Sequence, residues 1–427
     1  MKKGRFGRAL LSLALILALL SGYHVPVSAV SDGWEGLGFT RTEDSASTEL
    51  PNAEESEAQQ TAHAADEVVR VSILLEEKSA LEAGFSTAQI SGNAKAAAYR
   101  AGLKDRQKEL TARIERATEQ KLDVVWNLTL AANLISANVP YGQLEAIREI
   151  PGVKEVVLEA KYAPCQTEET TADGPMMATS GNMTGAPVAY AAGYTGAEDW
   201  KKVCEREDVD LIYNAGAFDY ALAELGGSYD LLDAQEIAKV LPQLNAAART
   251  KGLTAEQLYK TTKIPYGYNY YVDRSSFYVD HDSDTQGEHG SHVEGIAAAN
   301  RYVPNGDGTY AKALDTALVQ GVAPDAQLIV MKVFGKGGGA YDSDYMAALE
   351  DAVVLGCDSV NLSLGSAYAG FSRSPAYDEL LVRVSKSDTV VTIAVGNAGH
   401  WAQYAKNGVT NALYAGDVGT DTTGQPG

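Results

Sequence analysis

Hydrophobic positions change their period along the chain, and each change marks an element. Val68 to Leu75 reads Val-Val-Arg-Val-Ser-Ile-Leu-Leu, a strand, and the charged stretch behind it places Leu103, Leu110, Ile114 and Ala117 on one helical face. Val124 to Ala132 alternates as a second strand and a turn leads into a third from Leu134 to Val139. Leu144 to Ile147 then makes a short helix, and Pro151-Gly152 introduces a strand from Val153 to Leu158. The order β-α-β-β-α-β predicts a small ferredoxin-like α+β sandwich. From Ala163 to Tyr190 a Thr, Gly, Ala and Met stretch has no period and reads as a linker. Past Pro324 the pattern becomes strand Leu328 to Val333, helix Ser343 to Val354, strand Val360 to Leu364, helix Tyr377 to Val384 and strand Val390 to Ala394. Apolar runs alternating with helices predict a parallel sheet covered on both faces, with ligands outside the carboxyl ends of its strands.

Composition narrows the possibilities. Lys and Arg number 35 against 56 Asp and Glu, a formal charge of −21 that repels phosphate backbones and anionic lipid, so no nucleic-acid partner is expected. The long apolar run, Ala9 to Leu20, is too short to span a bilayer, so no transmembrane segment is expected. Lys2, Lys3, Arg5 and Arg8 precede that run and Val27-Ser28-Ala29 follows it, the layout of a signal peptide over residues 1–29, which implies secretion or placement in the cell envelope. Residues 30–65 are rich in Ser, Thr, Ala and Glu and read as a disordered acidic leader. Cys165, Cys204 and Cys357 are scattered and odd in number and predict no disulfide framework.

The segment Gly287-Glu288-His289-Gly290-Ser291-His292-Val293-Glu294-Gly295-Ile296 places a histidine beside a glycine at a helix start, with Ala297-Ala298-Ala299 behind it. That arrangement suits an imidazole at a cleft edge on a tightly packed helix. A shared zinc on His289 and His292 is the alternative, yet Glu-x-x-His spacing and a third ligand are missing, so no metal is assigned. Two strand ends carry unusual loops, Ser363-Leu364-Gly365 and Gly396-Asn397-Ala398-Gly399. Gly335-Lys336-Gly337-Gly338-Gly339 lacks the spacing of a phosphate loop and reads as a surface loop near the cleft. The glycosylation sequons at Asn127 and Asn182 are assigned nothing.

His-Gly-Ser-His-Val-x-Gly-Ile resembles the histidine signature of the subtilisin-like serine proteases, or subtilases. Lys263 to Tyr270, Asp282 to Gly287 and Gly321 to Ala326 resemble the cell-envelope proteinase (lactocepin) branch, and the likeness covers roughly residues 183–196 and 213–427. The fold class it implies is α/β: a ferredoxin-like inhibitory propeptide at 66–164, a linker at 165–185, and an incomplete, three-layer subtilisin-like catalytic domain at 186–427. By the same resemblance His289 is the general base that takes the proton from an attacking serine. Asn397 is the side-chain donor of the oxyanion hole, whose loss in subtilisin itself costs about a hundred- to a thousandfold in rate. Ser363, Leu364 and Gly365 form the strand that pairs substrate backbone. The implied partners are protein or peptide substrates and the chain's own propeptide. No cofactor is required, and calcium is left open.

Two parts of the triad do not match. The family's aspartate strand is expected after Gly193-Tyr194-Thr195-Gly196, but nine of the thirteen residues from Glu198 to Asp210 are charged, and neither Asp208 nor Asp210 fits the motif. No Gly-Thr-Ser-Met-Ala nucleophile segment occurs through Gly427. The expectation is a secreted serine endopeptidase precursor present as a fragment that is inactive alone. Compensating frame changes across codons 198–213 and a serine motif downstream of codon 427 would explain the gaps. The alternative is a non-catalytic protein whose propeptide-like domain binds or inhibits a protease.

Overall fold

The computed structural model describes residues 63–87, 90–164, 209–271, 289–316, 320–334, 339–369, 375–394 and 424–425. The expected signal peptide, Asp208 and Asn397 lie outside these residues, as do the leader up to residue 62 and the linker from residue 165, whereas Ala163 and Pro164, read as the start of the linker, belong to a strand. Within Thr61–Gly427, which forms one unit, the chain opens with β1 (Val68–Leu75), α1 (Ala94–Thr118), β2 (Asp123–Leu128), β3 (Leu134–Pro140), α2 (Leu144–Arg148) and β4 (Val153–Leu158). Sheet order is β2-β3-β1-β4 and every neighbouring pair is antiparallel. The long helix starts where the Asn93 side chain accepts from the amides of Lys95 and Ala96, each at 3.1 Å.

Alternation along β1 separates two environments. Val69, Val71 and Ile73 pack with Leu110 and Ile114 of α1 and with Leu144 and Ile147 of α2 in one apolar core. Arg70 and Ser72 of β1 and Ser136 of β3 are also buried. They are covered by the second half of the chain, as described below.

A short strand not expected from the sequence, β5 (Lys161–Pro164), follows β4. Next come α3 (Val209–Ile212), α4 (Ala215–Leu225), α5 (Ala234–Val240), α6 (Asn245–Arg249), α7 (Ala255–Leu258) and β6 (Tyr266–Asn269). They are followed by α8 (His289–Ala298), β7 (Tyr302–Pro304), β8 (Tyr310–Lys312), α9 (Ala313–Thr316), β9 (Ile329–Lys332) and β10 (Ala340–Tyr341). The series ends with α10 (Asp342–Leu355), β11 (Ser359–Leu362), β12 (Leu364–Ala369), α11 (Pro375–Val384), β13 (Val390–Ile393) and β14 (Gly424–Gln425).

Two expectations change. The single parallel sheet resolves, among the described residues, into two separate parallel ladders, β6 with β9 and β11 with β13. Only one face of the second ladder is covered: Val360, Leu362, Val391 and Ile393 join the main core, whereas Ser359, Asn361 and Thr392 are exposed and Val390 is 61% exposed. The strand expected from Val360 to Leu364 breaks at Ser363, because Leu364 leaves the parallel ladder to open β12, an antiparallel strand with other partners. A helix-bounded apolar run cannot show which of its residues change ladders.

Candidate active site

The histidine helix is held by its own small residues. Gly321, Val322 and Ala323 run along its last turn and donate backbone hydrogen bonds to the carbonyls of Ala299, Ile296 and Ala297 at 2.9, 3.0 and 2.8 Å, satisfying acceptors that a helix end leaves open. The approach is so close that a Cβ on Gly321 would stand 2.4 Å from the Ala299 nitrogen, so only glycine fits. Lys263, fully buried, fixes the far side of this segment by donating from Nζ to the carbonyls of Pro324 and Ala326 at 2.9 and 2.7 Å. Burial pushes its ammonium down to about 7. The backbone of His289 is the first residue of α8; the imidazoles of His289 and His292 lie outside the described residues. Further along α8, desolvation pushes the half-buried Glu294 carboxyl up to about 7.

The strand expected to pair with substrate already has an occupant. Leu364 and Gly365 at the start of β12 pair antiparallel with Pro164 and Ala163 of β5. On its other side β5 pairs antiparallel with β10, Tyr162 opposite Ala340 and Lys161 opposite Tyr341. The chain's own residues 161–164 therefore fill the slot between two strands of its second half. Leu364 is buried in the main core, and Ser363 is half-buried and accepts a 2.9 Å hydrogen bond from Asn361 Nδ2 on its Oγ. Ser363 thus separates β11 from β12, Leu364 and Gly365 open β12 between β5 and β14, and Asn397 falls outside the described residues. Asp210 lies in the helical turn α3, not in a strand.

What holds the occupant in place is a set of carboxylates that the sequence reading passed over. Helix α10 is buried along its whole length, including Asp342, Asp344, Glu350 and Asp351. Glu350 accepts from the amides of Thr129, Leu130, Ala131 and Ala132, the turn between β2 and β3, at 2.7–3.3 Å. Asp344 accepts from Trp126 Nε1 at 2.9 Å, and Asp342 from the amide of Ala160 at 2.8 Å, immediately before β5. In return Glu159 caps the start of α10, accepting from Ser343 N and Oγ at 3.3 and 2.7 Å as well as from Ser72 and Ser136. On α11, Arg383 donates to the carbonyl of Ala131 at 2.6 Å and to Glu82 at 2.9 Å. Burial dominates the electrostatics here: it pushes Asp344 up to about 7 and Asp351 up to about 6 despite the hydrogen bonds each accepts. A usable signal existed, since Asp344 and Asp351 stand seven residues apart and share a helix face with apolar neighbours.

Cys357 is not a nucleophile in waiting, because burial raises its thiol to about 12. Among the described residues no group of three or more His, Cys, Asp or Glu is arranged to hold a metal ion, and no helix is long and apolar enough to cross a membrane.

Comparison with known proteins places the chain in a family. The sequence profile of the subtilase family, Peptidase S8, matches residues 213–426, about half of the chain, and the chain belongs to that family. It is 35% identical over 172 residues to the PII-type proteinase of Lacticaseibacillus paracasei, a match covering 40% of this chain and 8% of that protein. It is 29% identical over 164 residues to the C5a peptidase of Streptococcus pyogenes, covering 36% and 13%. The matched stretch is thus only a small part of these relatives' length. Fervidolysin from Fervidobacterium pennivorans, a keratinolytic enzyme related to subtilisin, aligns in structure at 14% identity and a TM-score of 0.37, covering 78% of this chain and 40% of that one.

Proposed function

We propose that the chain carries the inhibitory propeptide and the first part of the catalytic domain of a secreted or envelope-bound serine endopeptidase precursor. One observation supports the reading above others: residues 161–164 of the chain lie as a β-strand between β10 and β12, where an extended peptide would bind by strand addition. The sandwich from Val68 to Leu158, ferredoxin-like in its element order and strand order, delivers that segment to the slot. In the assembled enzyme His289 would accept the proton of the attacking serine and Asn397 would donate to the developing oxyanion. Ser363, Leu364 and Gly365 would align the substrate backbone. Extracellular placement is supported by the proteinase relatives and by the charged and apolar layout of residues 1–29.

The chain through Gly427 lacks the family's serine segment, and triad members act as a unit. Purified residues 30–427 are therefore expected to show no hydrolysis of casein or of fluorogenic peptides above background. Turnover that a serine-directed phosphonate blocks would contradict this. Residues 66–164 added to a complete cell-envelope proteinase are expected to slow its peptide hydrolysis; undiminished turnover would remove the inhibitory role.

A further inference from the structure

The propeptide-like sheet touches more than α10 and α11. Residues 232–258, which carry α5, α6 and α7, form a third wall against it, and we propose that this helical segment is a docking clamp that sets how tightly the propeptide-like domain is held over the cleft. The inference rests on the inhibitory reading above and adds the element that regulates it.

The wall is anchored from below. The amides of Asn245 and Ala246 donate to Asp351 at 2.7 and 3.0 Å, and Tyr270 Oη donates to the same carboxylate at 2.8 Å. Thr250 and Tyr268 share a hydroxyl hydrogen bond of 2.7 Å, and the Leu232 backbone is bonded on both sides to the Gln327 amide. From above, the same segment reaches the sheet. Arg249 Nη1 donates to the carbonyls of Val124 and Val125 at 3.4 and 3.0 Å, and its guanidinium stands 5.7 Å from the Trp126 ring centre. Gln243 donates to the carbonyl of Ser91 at 2.8 Å, and its own carbonyl accepts from Arg100 Nη2 at 3.0 Å. Asn245 Nδ2 also lies 3.4 Å from Glu350, the carboxylate that holds the turn at 129–132. Ile237, Val240 and Leu244 join Val125, Trp126 and Leu128 in a single apolar core.

These contacts have a definite chemistry. The carbonyls of Val124 and Val125 belong to β2, the outer strand of the sheet, where its register against β3 shifts between Val124 and Trp126, so Arg249 bonds the sheet at its edge. A planar guanidinium presents its donors in a fixed fork at the end of a longer side chain, so it holds the two carbonyls and the ring in one geometry that a shorter, freely rotating ammonium reproduces only in part.

Hydrogen exchange on the intact chain tests the clamp. In Arg249→Ala the amides of residues 130–132 and 162–163 are expected to exchange about tenfold faster, the loss of one charge-assisted contact, while β11 and β13 keep their rates. Arg249→Lys should recover only part of the protection, and Lys239→Ala on the exposed side of α5 should change nothing at these amides. Acceleration confined to residues 241–250, or none, would overturn the proposal. So would loss of protection that reaches β11 and β13 equally, because Arg249 would then be a residue of the common core. Failure of the inhibitory reading shows separately, as unprotected amides at 162–163 in the unmodified chain.

Discussion

The two faces of the N-terminal sheet are built by opposite rules. One is a closed apolar layer under α1 and α2, with Val71, Ile73, Ile114 and Ile147 fully buried. The other is polar yet also buried, with Arg70, Ser72 and Ser136 meeting the carboxylates of Glu159 and Asp344 across the contact with α10. An apolar face is satisfied by any apolar cover, but buried polar groups are satisfied only by partners of matching geometry. The first face makes the sandwich; the second selects what the sandwich docks on.

Breaking the polar contact at its centre should have the largest effect. Glu350→Ala leaves four amides without their acceptor and removes the countercharge near Arg100, so a loss of about 3–5 kcal/mol is expected in denaturant unfolding. A loss under about 1 kcal/mol would mean that the turn finds other partners. On the apolar face, Ile73→Ala should cost about 2–4 kcal/mol by opening a cavity, and should do so equally at every pH.

pH separates the faces further. Asp344 and Asp351 are raised by burial above the ordinary carboxylate value of 3.8, to about 7 and about 6. A carboxyl raised on folding stabilises the folded state most when protonated in it, so this contribution is present near pH 4 and is lost as pH rises toward 7. The stability difference between the unmodified chain and Asp344→Asn should accordingly shrink in favour of the variant from pH 4 to pH 7 and stay level above that. A difference that is flat over this range would show that Asp344 is not desolvated. The smallest effect concerns Cys357: with its thiol held near pKa 12, it should resist a thiol reagent in the folded chain at pH 8 and react once unfolded.

Sequence patterns revealed individual elements of the N-terminal half because its strands alternate and its long helix has a capping asparagine; the expected strand Val153 to Leu158 has the observed bounds, whereas the strand expected from Val124 to Ala132 ends at Leu128, where the turn held by Glu350 begins. They revealed the histidine helix because a histidine beside a glycine is followed by the small residues Ala297, Ala298 and Ala299, and in the structure Gly321 lies against the backbone of Ala298 and Ala299. They missed β5, since Lys-Tyr-Ala-Pro has no alternation and becomes a strand only through partners nearly two hundred residues away in β10 and β12. The carboxylates of α10 were passed over for a related reason. A charged residue in a helix is normally solvated, and only the amides of residues 129–132 and the indole of Trp126 give these their place in the interior.

The central claim, that residues 161–164 lie as a strand between β10 and β12, is tested most directly by a covalent trap. Ala163 and Gly365 face each other across antiparallel strands, a separation that a disulfide can bridge. With Cys165, Cys204 and Cys357 replaced by serine, Ala163→Cys combined with Gly365→Cys is predicted to cross-link readily in the folded chain under mild oxidation. The cross-link should be lost when Glu350→Ala is added. Free thiols at both positions in a chain that is otherwise folded would contradict the account.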